Sequence, residues 1–275
     1  MIRLRQIAGL AFIVTLMACG NNNSDSKSDA EKKDSTGNGM NPTVEMPAAV
    51  SAEAMDKAVK DEKSVFLLIT ATGATGVEKA VTLVNQSKAK VSKSVIYLLK
   101  RDEPANSKLV SKYDIANVSV PFILVISPQG NAVIGDEPSK FTVDMLVKSI
   151  PSPKEDDVYS GITDKKPVFI VVSKKGYTDK AGVLSNCKTA CTSVASKPII
   201  VEIDFDDSAE KKFLEQIGVT KMKGTTTTVV TNSSGQITET FTTKATVKQL
   251  IDAANKVIKQ KGCGPGGCSP GQSCG

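Results

Sequence analysis

The chain has 275 residues, enough for two ordinary domains. Apolar residues make up 40%, as in a globular protein, and there is no histidine, which excludes imidazole as a general base or metal ligand. The formal charge of +6 includes Arg3 and Arg5, and the lysines are scattered among acidic residues, a solvated surface rather than a nucleic-acid patch, so no nucleic-acid partner is expected.

Arg3 and Arg5 precede an apolar run from Ile7 to Met17 that is too short for a permanent membrane span. Leu16-Met17-Ala18-Cys19-Gly20 follows and resembles a bacterial lipobox. Residues 1–18 then read as a lipoprotein signal peptide, and Cys19 as the diacylated first residue of the mature chain. The other reading is an ordinary secretory signal with an incidental cysteine. Two acyl chains anchor stably where one does not, so the membrane is an expected partner. Gly20, in place of an Asp beside Cys19, resembles the outer-membrane type of lipoprotein. The expected location is the bacterial cell envelope, on the outer membrane facing the periplasm. Residues 19–50 are mostly polar and read as a disordered tether, with a reach on the order of 30 Å.

The first domain is expected over residues 51–152. Ser51 caps a short helix with Met55, Ala58 and Val59 on one face. Ser64 to Thr70 is a continuous apolar run, as in a central strand covered on both faces. The loop Ala71 to Gly76, a helix from Val77 to Ser92, a strand from Ser94 to Leu99 and a helix from Pro104 to Tyr113 follow. The apolar residues Val118, Val120 and Phe122 to Ile126 read as a strand with Pro121 at its start, where the missing N–H does least damage. Ser127-Pro128-Gln129-Gly130-Asn131 is hairpin-turn chemistry, and Ala132-Val133-Ile134 is the return strand. Thr142 caps a last helix with Val143, Leu146, Val147 and Ile150 inward.

Lys112-Tyr113-Asp114-Ile115, then Val120-Pro121, an apolar strand and a Gly-centred turn resemble the second half of a thioredoxin-like domain. The resemblance implies that Pro121 is cis and faces the position of the redox site.

Pro151-Ser152-Pro153 reads as a stiff, helix-ending linker. The order of elements then recurs over residues 153–261. Lys166 to Ser173 echoes Lys63 to Thr70, and Ile199 to Ile203 echoes the strand at Val95. Ala209 to Ile217 echoes the helix before the hairpin. Thr227 to Thr231, Asn232-Ser233-Ser234-Gly235 and Gln236 to Phe241 echo the hairpin itself. Val247, Leu250, Ile251, Ala254 and Ile258 line a final helix. The expected fold class is α/β: two tandem thioredoxin-like domains, each a central mixed sheet flanked by helices.

A thioredoxin-type enzyme carries Cys-x-x-Cys directly after its central strand. There the helix N-terminus stabilises a thiolate. Here that place holds Gly73-Ala74-Thr75-Gly76-Val77 in the first domain and Lys175-Gly176-Tyr177-Thr178-Asp179 in the second. Neither stretch contains sulfur. Thr225-Thr226-Thr227 stands at the second domain's proline position. The first loop reads either as an anion-holding helix start or as a plain Gly-rich turn.

Five cysteines remain after Cys19. Cys187 and Cys191 are expected near the C-terminal part of a helix. They read as a disulfide if that helix ends there, a soft-metal clamp if it continues, or free thiols. Residues 262–275 form a Gly/Cys-rich tail with Cys263, Cys268 and Cys274. Its thiolates suit Cu(I), Zn or another soft metal, and the plainer reading is a disordered tail with one disulfide. No catalytic residue stands out. Two functions remain open: a protein-binding scaffold built on redox-degenerate thioredoxin-like domains, or thiol-disulfide and soft-metal handling through Cys187, Cys191 and the tail.

Overall fold

In the computed structural model, residues 46–258 are described. Cys19, most of the tether and the tail cysteines Cys263, Cys268 and Cys274 lie outside them. The first half contains α1 (Ala52–Lys60), β1 (Ser64–Thr70), α2 (Val77–Ala89), β2 (Ser94–Lys100), α3 (Ser107–Lys112), β3 (Phe122–Ile126), β4 (Ala132–Asp136) and α4 (Val143–Lys148). The second contains α5 (Pro153–Thr163), β5 (Val168–Ser173), α6 (Lys180–Ser193), β6 (Ile199–Asp204), α7 (Lys211–Gln216), β7 (Thr227–Thr231), β8 (Ile237–Phe241) and α8 (Val247–Asn255).

Two four-stranded sheets result, ordered β2-β1-β3-β4 and β6-β5-β7-β8. In each, the central strand pairs parallel with one neighbour and antiparallel with the first strand of the hairpin. Helices cover both faces, so every residue of β1 and β5 is buried. Val65, Leu67 and Ile69 point towards the α1 and α3 side, while Phe66 and Leu68 point towards α2 and α4. The second sheet divides its core in the same way. With this strand order and these directions, the halves are two tandem thioredoxin-like α/β domains.

The repeat extends to details of backbone. Register shifts fall at Val125/Ile126 and at Val230/Thr231. Asp114 and Gly218 take positive φ at the ends of α3 and α7, and Glu62 and Lys165 do so after α1 and α5. The hairpin glycines Gly130 and Gly235 lie under Val59 and Ile162, so a Cβ would crowd each helix at about the same place.

Four expectations change. The strand begins at Phe122, so Val118 and Val120 are loop residues packed against the core. The helix expected from Pro104 is a 3₁₀ turn, Pro104–Asn106, running into α3. Ile258 lies beyond α8 and is 41% exposed, because the helix ends at Asn255. The segment after Pro151 starts a helix rather than serving as a plain linker. Ser152 caps α5 in a capping box with Glu155, and Pro153 occupies the first turn, where its missing N–H does no harm.

Helix α5 also joins the two halves. Asp156 is 2% exposed and accepts hydrogen bonds from the Gln129 N–H (3.0 Å) and the Asn131 Nδ2 (2.8 Å) of the first hairpin turn. The Ser160 hydroxyl accepts from Asn131 (2.9 Å) and donates to Gln129 (2.8 Å). Glu210, 1% exposed, takes the Ser152 hydroxyl (2.5 Å) and the Lys154 N–H (3.0 Å). Burial pushes the Glu155 carboxyl above its ordinary range, and the charge of Glu210 adds to that.

Candidate functional site

The pairing registers place corresponding residues of the two domains. Ile69 lies opposite Phe122, and Val172 opposite Thr227. Pro121 therefore matches Thr226. Counting from the strand ends, Gly73 matches Gly176, and Gly76 matches Asp179. These pairs mark the place where a thioredoxin-type enzyme has its helix start and its facing proline.

In the first domain the place is open. Gly76 precedes α2 with φ 76° and provides no side-chain cap. Gly73 also has positive φ, and a Cβ on either glycine would meet nothing within 4 Å. The loop is tied down at its start, where the Thr72 N–H donates to Asp102 (2.9 Å). Hydrogen bonding from the Thr72 side chain, together with this N–H, holds the Asp102 carboxyl below the usual range. At the position that matches Thr226, the Val120–Pro121 peptide is cis. The Arg101 guanidinium donates to the Val118 carbonyl and braces this segment.

In the second domain the place is closed. Asp179 precedes α6, and its carboxylate accepts from both the Thr226 N–H and the Thr226 hydroxyl, each at 2.8 Å. Thr226 is completely buried. Proline has no N–H, so the first domain could not form this pair of bonds. The Thr225 hydroxyl donates to the Thr242 carbonyl (2.6 Å), which fixes the neighbouring residue. Lys174 pairs with Asp206 (2.7 Å) and lies over the Phe205 ring, 4.8 Å from its centroid. Phe205 and Asp206 match Arg101 and Asp102, so the loop is tied down here by a lysine instead of a backbone N–H.

The cysteines of the described residues lie away from both places. Helix α6 runs unbroken from Lys180 to Ser193, through both Cys187 and Cys191. The expected disulfide needed that helix to end, and an intact helix holds residues four apart in poor geometry for one. Among the described residues neither thiol has a disulfide partner. Cys187 is fully buried between α6, α8 and β5, and burial pushes its thiol up to about 12. Burial also raises Cys191. Both residues are beyond the first turn of α6, so the helix dipole does not offset that effect. Among the described residues, no group of three or more His, Cys, Asp or Glu side chains is placed to hold a metal.

No protein-family model and no curated protein sequence matches the chain. Its solved neighbours include the first two thioredoxin domains of Eps1p from Naumovozyma dairenensis, at 10% identity and a TM-score of 0.29, covering 78% of this chain and 98% of that one. The Drosophila melanogaster thioredoxin Deadhead is 19% identical, with a TM-score of 0.31, over 38% of this chain and 98% of that one. Zinc-bound human ERp44 is 10% identical, with a TM-score of 0.33, over 67% of this chain and 53% of that one. Strand order and strand direction make each half thioredoxin-like.

Sequence reasoning placed both loops but missed the Asp179–Thr226 latch. It also missed the joint of Asp156 with Gln129 and Asn131. The Ser-x-x-Glu pattern at Ser152 was the available signal for α5 and, through it, for the joint.

Proposed function

We propose that this is a lipid-anchored cell-envelope protein in which the two thioredoxin-like domains serve as a protein-binding module without thiol-disulfide catalysis. The observation that carries the reading is the second domain's latch. At the corner where a redox enzyme of this type keeps its dithiol, the Asp179 carboxylate instead binds the Thr226 N–H and hydroxyl. The open Gly73–Gly76 loop leaves the first domain as the accessible recognition surface. Cys19 provides the anchor and the polar stretch after it the tether, which ends before Ala48, where the chain joins the β2 edge.

Two measurements test this. Reduced protein should not accelerate the dithiol-dependent reduction of insulin, and a rate above the uncatalysed one would contradict the reading. A photocrosslinker placed at Ala74 should give discrete protein adducts in intact envelopes, and one at Thr178 should give none. In the same cells Cys19→Ala should leave the membrane fraction. Unchanged partitioning would remove the anchor.

A further inference from the structure

The two sheets differ at their outer edges. In the first domain the edge strand β2 is covered by the chain's own residues. The Leu98 N–H donates to the Ala48 carbonyl (2.9 Å), and the Leu98 carbonyl accepts from the Val50 N–H (2.8 Å). Ala49 bridges Leu98 in parallel, and Val50 is buried in the core beside α1. The register makes Glu202 of β6 the counterpart of Leu98. In the second domain the matching segment is used otherwise. Ser152 and Lys154 bind Glu210, and the chain enters α5 directly. Ile199 and Phe205 donate their N–H groups inward to the Pro167 and Ser173 carbonyls. The alternation of a parallel ladder then turns the backbone groups of Ile200 and Glu202 outward, while the Asp204 carbonyl accepts from the Asp207 N–H (3.1 Å) and ends the open edge. Among the described residues, no backbone group bonds Glu202 on that side.

We infer that the β6 edge is a β-augmentation site for an extended segment of a partner polypeptide with Lys or Arg at alternate positions. Charge and pleat determine the partner's pattern. Glu202 and Asp204 are exposed and share one face of the strand, and Ile203 between them is buried on the other. Residues paired across an edge share a face, so an added strand sets two alternate side chains against the two carboxylates. A β-branched residue between those two then lies beside Ile203. Lys180 reaches Glu202 at 2.9 Å, whereas Asp204 has no ion pair among the described residues. A second copy is disfavoured, since full overlap of two β6 edges sets Glu202 opposite Glu202. The site is separate from the two loops, so its failure leaves the proposed function untouched.

The test is amide hydrogen exchange of the full-length protein with an acetylated Thr-Lys-Val-Lys-Thr amide. Saturating peptide should slow exchange at Glu202 at least tenfold and leave Leu98 unchanged. Replacing the peptide lysines with Glu should weaken binding at least tenfold. Glu202→Pro removes an outward N–H, which an edge strand tolerates, and should abolish binding. Asp204→Lys, which does not depend on that tolerance, should reverse the peptide preference. Equal binding of the acidic peptide, or binding that survives Glu202→Pro, would overturn the proposal. A Glu202 amide already protected in the monomer would assign the edge to the chain itself. Protection that rises with protein concentration as the mass doubles would assign it to a second copy. Either result also overturns the proposal.

Discussion

In the first domain the chain approaches β3 through the cis Val120–Pro121 peptide, and Gly76 is bare. In the second it approaches β7 through Thr226, which holds Asp179 by two hydrogen bonds. Core, register and bulges agree between the halves, so the difference does not come from the scaffold. It comes from one backbone N–H that proline lacks and threonine has, together with a carboxylate immediately before α6. A fold can therefore be copied faithfully while one copy of its functional corner is closed.

The largest expected effect breaks the latch. Asp179→Ala leaves the N–H and hydroxyl of a fully buried Thr226 without acceptors, which costs about 3 kcal/mol in urea unfolding. No substitution in the first-domain loop should cost as much, and a loss under about 1 kcal/mol would show that water replaces the carboxylate. A smaller effect, of opposite sign, comes from Tyr113, whose counterpart in the repeat is Ile217. Its hydroxyl is buried without a partner among the described residues, and burial pushes it up to about 12. Tyr113→Phe should stabilise the first domain by about 1 kcal/mol, read as a higher melting temperature. The smallest effect is at the open loop. Gly76→Ala meets no atom, so its cost is the positive φ alone, about 1 kcal/mol or less, and it should leave the second domain's unfolding unchanged.

Most of the architecture is legible in the chain because it is written locally. Continuous apolar runs mark β1 and β5, Ser-Pro-Gln-Gly-Asn and Asn-Ser-Ser-Gly mark the hairpins, and Thr142 and Thr246 cap the last helices. Helix α5 is harder to see. Pro151 and Pro153 look like a stop, and Tyr159, Ser160 and Gly161 thin its apolar stripe. Gly161 has a packing reason, since a Cβ there would fall 2.6 Å from Ile199 Cδ1. The latch is not written locally at all. Asp179 and Thr226 are 47 residues apart, and only the pairing of β5 with β7 brings them together. The same is true of Asn131 and Asp156, 25 residues apart and on different domains. Spacing also allowed a disulfide between Cys187 and Cys191, which the unbroken helix removes.

Among the described residues, neither domain has a thiol at a helix start. The direct measurement is the iodoacetamide alkylation rate of Cys187 and Cys191 as a function of pH, in a chain carrying C19S, C263S, C268S and C274S. The raised Cys187 pKa means that its thiol stays protonated through neutrality and ionises only in strong alkali. Native Cys187 should therefore react at least about 100-fold more slowly than in urea at pH 8, with Cys191 between the two, and both rates should still be rising above pH 9. A rate that levels off below pH 7 at either cysteine would reveal a stabilised thiolate and contradict the account.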